Sequence, residues 1–263
     1  MKPARLSYPT LRIVLLGAAM AVASCSLPTN RPLPVLSYPS PTGSPVEDKT
    51  LVVFLRGKSG SHRSFETAGM VDELQKQMGS FDILAPNTHF GYYMSRAVVD
   101  RLKYDVIDPA IAAGYREIWL VGVSLGSIGA LLYLDAYPSD IDGVCLIAPY
   151  LGNSGILEPI ANAGGLAHWE PSEPDPKDSW QLKIWTVLKN CHKNGFQTPP
   201  VLLGFGTGDR YHRAHRLLSA GMPPTQVFEV NGGHDFVTFA KVWAAILDNG
   251  LFSAQPKTNH TLE

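Results

Sequence analysis

A serine lies between two glycines directly after a run of apolar residues. Residues Gly122–Gly126 read Gly-Val-Ser-Leu-Gly, and the run Ile118–Val121 before them has the composition of a buried strand. A strand that turns at once into a helix strains the residue at its tip and crowds its neighbours, which glycine permits. The hydroxyl of Ser124 would then be exposed beside a helix N-terminus, whose partial positive charge favours a developing anion. The pattern predicts a serine nucleophile.

A histidine and an aspartate follow two later apolar runs. A serine hydroxyl is a poor nucleophile unless a base lies within hydrogen-bond reach, and that base needs an acid to orient it. His234 lies in a Gly-rich loop after the last apolar run, and Asp209 follows the preceding run. We therefore expect Ser124, Asp209 and His234 to meet at one edge of a sheet, in the chain order Ser, Asp, His.

Other residues offer alternatives to this set. Asp235 adjoins His234 and is a second candidate acid, although a side chain rarely turns back on its neighbour's ring. His62 could reach the same edge, but its Ser- and Gly-rich surroundings favour a solvated turn. His212 and His215 could hold a metal, yet the arginines around them favour a solvated basic face. Because no Cys/His set has zinc spacing and no phosphate-binding loop occurs, we expect no metal and no cofactor.

Six short apolar runs, each rich in Val, Ile or Leu, alternate with stretches of helical pattern. They are Leu51–Leu55, Phe81–Ala85, Ile118–Val121, Gly143–Ala148, Pro200–Phe205 and Gln226–Val230. Runs of this kind are typical of strands buried on both faces. The alternation predicts an α/β fold over residues 50–250, with an open, mostly parallel sheet of about six strands flanked by helices. Residues 251–263 are predicted to be a C-terminal tail.

The stretch over residues 151–199 interrupts this alternation and contains Trp169, Trp180 and Trp185. We predict a short helical cap inserted above the strand ends, with the indoles lining an apolar cleft. The alternative is one helix packed on the sheet beside an acidic loop.

The N-terminal residues have the composition of a secretory signal. Basic residues precede the apolar stretch Ile13–Ala23, which is too short to span a bilayer. Val22–Cys25 is similar to a bacterial lipobox, which predicts a signal peptide over residues 1–24 and a lipidated Cys25. Cleavage after Ala23, giving a secreted protein, is the alternative. The Pro-rich residues 25–49 are predicted to be a tether.

Composition and charge restrict the partners. The 263 residues are 45% hydrophobic and 17% charged, as in globular proteins, with a formal net charge of −1. This balance does not indicate nucleic-acid binding, and we expect membrane contact only through the lipid anchor. Cys145 and Cys191 could form a disulfide in an oxidising compartment, or remain separate.

Four stretches of the sequence together resemble the α/β-hydrolase superfamily. They read LVVFLRG, GVSLG, GTGD and GGHD, and the resemblance extends from Leu51 to about Asn249. It implies that Ser124 is the nucleophile, His234 the general acid and base, and Asp209 the residue that orients the histidine. The separate resemblance of Val22–Cys25 to a lipobox implies an extracytoplasmic protein, in the outer membrane where the cell has one, because Ser26 follows the cysteine.

The resemblance further implies two backbone donors to an oxyanion. The first is the N–H of Leu125, after the nucleophile. The second belongs to the loop after the first run, where family members often have His-Gly and this chain has Arg56-Gly57. We assign it to the N–H of Lys58, with Gly57 as the alternative.

These residues predict a serine esterase that cleaves small-molecule carboxylic esters, with an apolar acyl group, through an acyl-enzyme. A thioesterase, an acyltransferase or a peptidase could use the same three side chains. A non-catalytic binding protein of the same fold is the remaining alternative.

Overall fold

The computed structural model of the protein describes residues 29–77, 79–172 and 179–250. The predicted signal peptide, Cys25 and the tail over residues 251–263 lie outside the described residues. None of the helices in the described ranges combines the length and the apolar character that a membrane span requires.

The described chain forms a seven-stranded sheet with the order β1-β3-β2-β4-β5-β6-β7. Only β1 is antiparallel to its neighbour, whereas the other pairings are parallel. The strands are β1 (Val35–Tyr38), β2 (Thr50–Leu55), β3 (Phe81–Pro86), β4 (Glu117–Val123), β5 (Gly143–Ile147), β6 (Val201–Gly206) and β7 (Val227–Val230). The open, mostly parallel sheet is confirmed, and β2–β7 correspond to the six apolar runs.

The strand β1 lies where the sequence predicted a tether. Residues Val35–Tyr38 pair with β3 at the sheet edge, with Val35 opposite Pro86 and Tyr38 opposite Ile83. Pro34 and Pro39 flank this strand and do not interrupt it, so its backbone donors remain available to the ladder. The prediction of a tether over residues 25–49 is therefore wrong for Val35–Tyr38, and the sheet has one strand more than expected.

Helices cover both faces of the sheet. Alternate residues of β2 enter two separate hydrophobic clusters, one on each face. The helices α1, α2 and α10 contribute to one cluster, and α4, α5, α6, α8 and α9 to the other. The helices are α1 (Ser64–Thr67), α2 (Met70–Gln75), α3 (Phe90–Met94), α4 (Val98–Leu102), α5 (Asp108–Ala113), α6 (Gly126–Ala136), α7 (Ser154–Asn162), α8 (Trp180–Lys193), α9 (His212–Ser219) and α10 (Phe236–Asp248).

The two cysteines of the described chain are both buried and free. Cys145 belongs to the cluster on one face of the sheet, and Cys191 to the cluster on the other. The sheet itself therefore separates their sulfur atoms, and no disulfide joins them.

The connection from β5 to β6 contains α7 and α8. Trp185 of α8 is fully buried and donates to the Leu151 carbonyl oxygen at 2.8 Å, and α8 packs on α6. Trp169 is also buried in the same cluster. Only Trp180, in the first turn of α8, lines the cavity described below. Most of α8 is thus a helix packed over the sheet, and the prediction that the indoles line a cleft is wrong for Trp185. Trp169 lines a separate cavity of about 530 Å³ beside α7 and the start of α8.

Candidate active site

Ser124 occupies the tight turn between β4 and α6. Its φ angle is 53°, a left-handed conformation that costs a non-glycine residue roughly 1–3 kcal/mol. Three backbone hydrogen bonds fix it. The Ser124 N–H donates to Ile147 O at 2.9 Å, and its carbonyl oxygen accepts from the N–H groups of Ser127 and Tyr150, both at 3.2 Å. The surrounding backbone therefore holds the serine at the tip of the turn.

The two glycines of the turn are required by close backbone contacts. A Cβ on Gly126 would lie 2.0 Å from the Leu55 carbonyl oxygen, and a Cβ on Gly122 would lie 2.5 Å from the Ser127 Cα. Each contact is with backbone, which cannot move aside as a flexible side chain can. The strand–serine–helix geometry thus depends on glycine at both positions, as the sequence pattern predicted.

The structure brings Ser124, His234 and Asp209 together at the carboxyl edge of the sheet. His234 Nε2 lies 3.0 Å from Ser124 Oγ, and His234 Nδ1 lies 2.7 Å from Asp209 Oδ2. The second carboxylate oxygen of Asp209 accepts from the Tyr211 N–H at 2.8 Å. The three side chains form a continuous hydrogen-bonded chain from carboxylate to imidazole to hydroxyl.

The electrostatic setting keeps Asp209 ionised. Burial alone raises the pKa of this carboxyl, which is only 4% exposed, but the hydrogen bonds from His234 and the Tyr211 N–H outweigh burial. The pKa of Asp209 therefore lies below its ordinary value. A buried carboxylate at Nδ1 fixes the tautomer in which Nε2 can accept a proton.

Two aromatic rings hold the imidazole from its sides. The Tyr211 ring meets the His234 ring edge-on at a centroid distance of 4.9 Å, and the Phe239 ring does so at 5.1 Å.

The alternative acid, Asp235, has another role. Its carboxylate accepts from the Thr238 N–H at 2.9 Å and caps α10.

The loop after β2 approaches the serine from the other side. A Cβ on Gly57 would lie 3.4 Å from Ser124 Cβ. The buried Arg56 side chain turns back on this loop and donates to Gly57 O at 3.2 Å and to Lys58 O at 3.1 Å, and also to Asn87 Oδ1 at 2.9 Å. In a trans peptide the N–H points opposite to the preceding carbonyl, so the Lys58 N–H points away from Arg56. In the described chain neither this N–H nor that of Leu125 has a backbone acceptor.

A cavity of about 1320 Å³ opens over Ser124 and His234. Lys58, Ser59 and Gly57 line one part, and Tyr150, Trp180 and Tyr211 form an aromatic wall in which Tyr150 contacts the other two rings, at 5.5 and 5.0 Å. Most of the apolar lining comes from α3, α4 and α6, through Phe90, Met94, Val98, Val99, Ile128 and Leu132, and α10 adds Phe236 and Phe239.

Comparison with solved structures identifies the architecture. S-formylglutathione hydrolase FrmB from Staphylococcus aureus superposes with a TM-score of 0.55 at 13% identity, covering 83% of this chain and 97% of that one. Est1E from Butyrivibrio proteoclasticus superposes with a TM-score of 0.54 at 17% identity, covering 82% and 95%. FphF, a fluorophosphonate-binding serine hydrolase of Staphylococcus aureus, gives 0.53 at 13%, covering 83% and 98%. The chain has the α/β-hydrolase fold.

Sequence comparison adds nothing to this assignment. No protein-family model matches the chain, and no curated protein matches its sequence. The similarity is therefore one of fold, and the sequence identities of 13–17% are low.

None of the other candidate histidines lines this cavity. His62 lies in a turn as predicted, but its Nδ1 is buried without a hydrogen-bond partner, and it does not line the cavity. His212 is half-buried and faces Glu229 at 3.6 Å. His215 is fully buried and its Nε2 lies 2.9 Å from Pro149 O. The predicted solvated face is thus wrong for His215, and no group of three metal-ligating side chains occurs in the described ranges.

Sequence reasoning missed the residues that position this site. Tyr211 and Phe239 flank the imidazole, and Arg56 binds the loop of Gly57 and Lys58. The rings carry no pattern that distinguishes them from other aromatic residues. For Arg56 a signal was present, because an arginine directly after a buried strand must find partners or leave a buried charge unpaired.

Proposed function

We propose that this protein is a serine hydrolase that cleaves carboxylic esters through an acyl-enzyme. The observation that carries the proposal is the hydrogen-bonded chain from Asp209 through His234 to Ser124, with separations of 2.7 and 3.0 Å. Both distances lie in the range that proton transfer requires. The names of two similar structures, an S-formylglutathione hydrolase and a serine hydrolase, agree with this chemistry.

Each residue has a defined step in this reaction. Ser124 Oγ attacks the ester carbonyl carbon while His234 Nε2 takes the hydroxyl proton, and Asp209 stabilises the imidazolium that forms. The tetrahedral oxyanion accepts hydrogen bonds from the N–H groups of Leu125 and Lys58. Removing one such donor typically costs about 2.7–4 kcal/mol of transition-state stabilisation.

The intermediate then resolves in two stages. It collapses to an acyl-serine as His234 returns the proton to the departing alcohol. A water molecule, deprotonated by the same Nε2, attacks the acyl carbon, and Ser124 leaves with the proton. The histidine therefore acts as base and acid in turn, which its position between Ser124 and Asp209 permits.

The lining of the cavity supports an ester with an apolar acyl group. Side chains of α3, α4 and α6 supply an apolar wall large enough for an acyl chain, and alcohols depart more readily than amines. A thioesterase or an acyltransferase would use the same residues with a different leaving group or acceptor. A non-catalytic binding protein would have no need of a strained serine at hydrogen-bond distance from a histidine.

A fluorophosphonate probe tests the proposal directly, because it phosphonylates only an activated serine. We expect the purified wild type to be labelled and the Ser124→Ala variant not to be. Ser127→Ala is the matched control, since Ser127 is buried and donates to Gly122 O at 2.8 Å. Absence of labelling in correctly folded wild type, or labelling that survives Ser124→Ala, would exclude the proposal.

We also propose that the enzyme acts outside the cytoplasm as a lipoprotein. Support comes from the sequence alone, through the short apolar stretch and the lipobox that ends at Cys25. Acyl chains on one cysteine would hold the domain at a membrane surface.

A further inference from the structure

The cavity beside Ser124 carries an excess of positive charge. Its described lining includes four basic side chains and one acidic side chain, namely Lys58, Arg96, Lys183, Arg210 and Asp235. The whole chain has a formal net charge of −1, so this excess is a local property. A cleft lined by one sign of charge concentrates ligands of the opposite sign and speeds their association by about 10- to 1000-fold.

Two of these cations contact aromatic rings. Lys58 Nζ lies 4.8 Å from the centroid of the Phe90 ring, and the guanidinium carbon of Arg210 lies 5.1 Å from that of the Tyr211 ring. Neither makes an ion pair with any carboxylate in the described ranges. A cation held against a ring keeps its N–H donors available. Lys58 and Arg210 can therefore donate to an anionic ligand.

The other charged side chains of the lining do not neutralise Lys58 and Arg210. Asp235 accepts from the Thr238 N–H at 2.9 Å, at the N-terminus of α10, where the helix dipole offsets part of its charge. Lys183 is paired with Asp135 at 2.7 Å, so it contributes less to the excess. The net positive charge of the lining is therefore carried by Lys58, Arg96 and Arg210.

The position of Arg210 indicates which part of the substrate it would contact. Its guanidinium lies over Tyr211, and the Tyr211 ring contacts the His234 ring at 4.9 Å. Because His234 delivers the proton to the departing alcohol, the alcohol part of the ester lies on this side of the serine. Most of the aliphatic lining that suits an acyl chain comes from α4 and α6. Beside His234 the lining is formed by the aromatic rings of Tyr211, Phe236 and Phe239 and by Arg210.

We propose that the substrate is an ester whose alcohol part carries an anionic group, a carboxylate or a phosphate, held by Arg210. This inference rests on the proposed function, because it assumes that Ser124 and His234 cleave an ester. It defines the substrate as an amphiphile, apolar on its acyl side and negatively charged on its alcohol side.

Matched aryl esters test this preference. The substrates are 4-nitrophenyl butyrate and analogues whose nitrophenyl ring carries a carboxylate, a phosphonate or a trimethylammonium group. Each kcat/KM is divided by the rate of hydroxide-catalysed hydrolysis of the same ester, which removes differences in intrinsic reactivity. We expect at least one anionic ester to be favoured about tenfold over the neutral one and the cationic ester to be disfavoured. The preference should diminish as ionic strength rises.

A pair of variants locates the effect. Arg210→Gln should lower the ratio of anionic to neutral kcat/KM about tenfold, and because both substrates meet the same sample, the fraction of folded protein cancels. Arg213→Gln is the control, because it removes the same charge three residues along the chain. Arg213 does not line the cavity and pairs with Glu158 at 2.7 Å, so this variant should leave the ratio unchanged.

The outcomes separate the two proposals. Equal or lower activity on both anionic esters in the wild type, or an unchanged ratio in Arg210→Gln, overturns the anionic substrate while leaving the esterase intact. Failure of the wild type to cleave any of the four esters in a Ser124-dependent manner overturns the proposed function itself.

Discussion

The guanidinium of Arg56 donates a hydrogen bond of 3.1 Å to the carbonyl oxygen of Lys58, two residues along the chain. The same side chain binds Gly57 O and Asn87 Oδ1, so one buried cation joins the loop after β2 to the end of β3. These contacts fix the peptide plane whose N–H we assign to the oxyanion. Arg56 therefore contributes the fixed orientation of this peptide plane, and it does not act on the substrate through its charge.

Replacing Arg56 with methionine should therefore reduce turnover and leave substrate affinity largely intact. The loop would lose three hydrogen bonds, and the Lys58 N–H would no longer be held where the oxyanion forms. We expect kcat to fall by about 10- to 100-fold, less than the 10²- to 10³-fold loss of a whole donor, with KM within about threefold. Steady-state kinetics on a neutral aryl ester measure both. Arg56→Lys should recover little, since an ammonium cannot reproduce the fork. A rise in KM with unchanged kcat would contradict this role.

Asp209 and Asp235 differ in function although both follow strands at the same edge. Asp209→Asn removes the carboxylate at His234 Nδ1 and should lower kcat by about 10⁴-fold, because the imidazole adopts the wrong tautomer. Asp235→Ala removes the cap of α10 and should cost about 0.5–2 kcal/mol of stability, with a loss in kcat of less than about tenfold. Kinetics and urea unfolding on both variants decide the assignment. Comparable losses of kcat would mean that the acid has been misassigned.

The sequence was sufficient for the sheet wherever a strand is buried on both faces. Such strands are continuous apolar runs, so β2 to β6 could be located without coordinates. The edge strand β7 is only partly buried, but three of its four residues are apolar, and it was located as well. The edge strand Val35–Tyr38 is equally short and partly buried, and the prolines on both sides of it concealed its pattern. Helix α8 was ambiguous for a related reason. The apolar spacing of Trp180, Ile184 and Trp185 is the same whether the helix covers a pocket or the sheet.

The meeting of Ser124, His234 and Asp209 could be predicted because each one follows a strand, and topology places strand ends at one edge. The residues that position them could not be predicted. Arg56 reaches Asn87, and His234 meets Phe239, through contacts that depend on loop conformation. Side-chain direction within a loop is set by packing between distant segments, which residue type and spacing do not encode. The same limit concealed the burial of His215.

Lipidation of Cys25 is a prediction that concerns residues outside the described ranges. In cells that process lipoproteins, the wild type should sediment with membranes and be released by detergent, and a radiolabelled fatty acid should be incorporated. Cys25→Ala should abolish the labelling and move the protein to the soluble fraction. Cys191→Ala serves as the control, because Cys191 is buried inside the domain. Soluble, unlabelled wild type would favour the secreted alternative.

The buried His215 should make stability depend on pH. Burial lowers the pKa of this imidazole to about 4, despite the opposing effects of its contact with Pro149 O and of nearby Asp209. Its Nε2 donates to Pro149 O, and Nδ1 is buried without a partner, so a second proton would lack an acceptor. In the unfolded chain a histidine titrates near 6.5. The unfolded state therefore binds more protons between these two values, and stability is lost as pH falls from about 6.5 towards 4.

Urea unfolding at pH 7 and pH 5 measures this contribution. The change in pKa corresponds to a loss of roughly 2 kcal/mol between the two pH values. His215→Gln keeps a donor towards Pro149 O but does not titrate, so its stability should fall by that much less over the same interval. His168→Gln is the matched control, because His168 is exposed, and its pH dependence should follow the wild type. If His215→Gln also follows the wild type, burial does not lower the pKa of His215, and this histidine takes up its proton over the same pH interval in the folded and the unfolded chain.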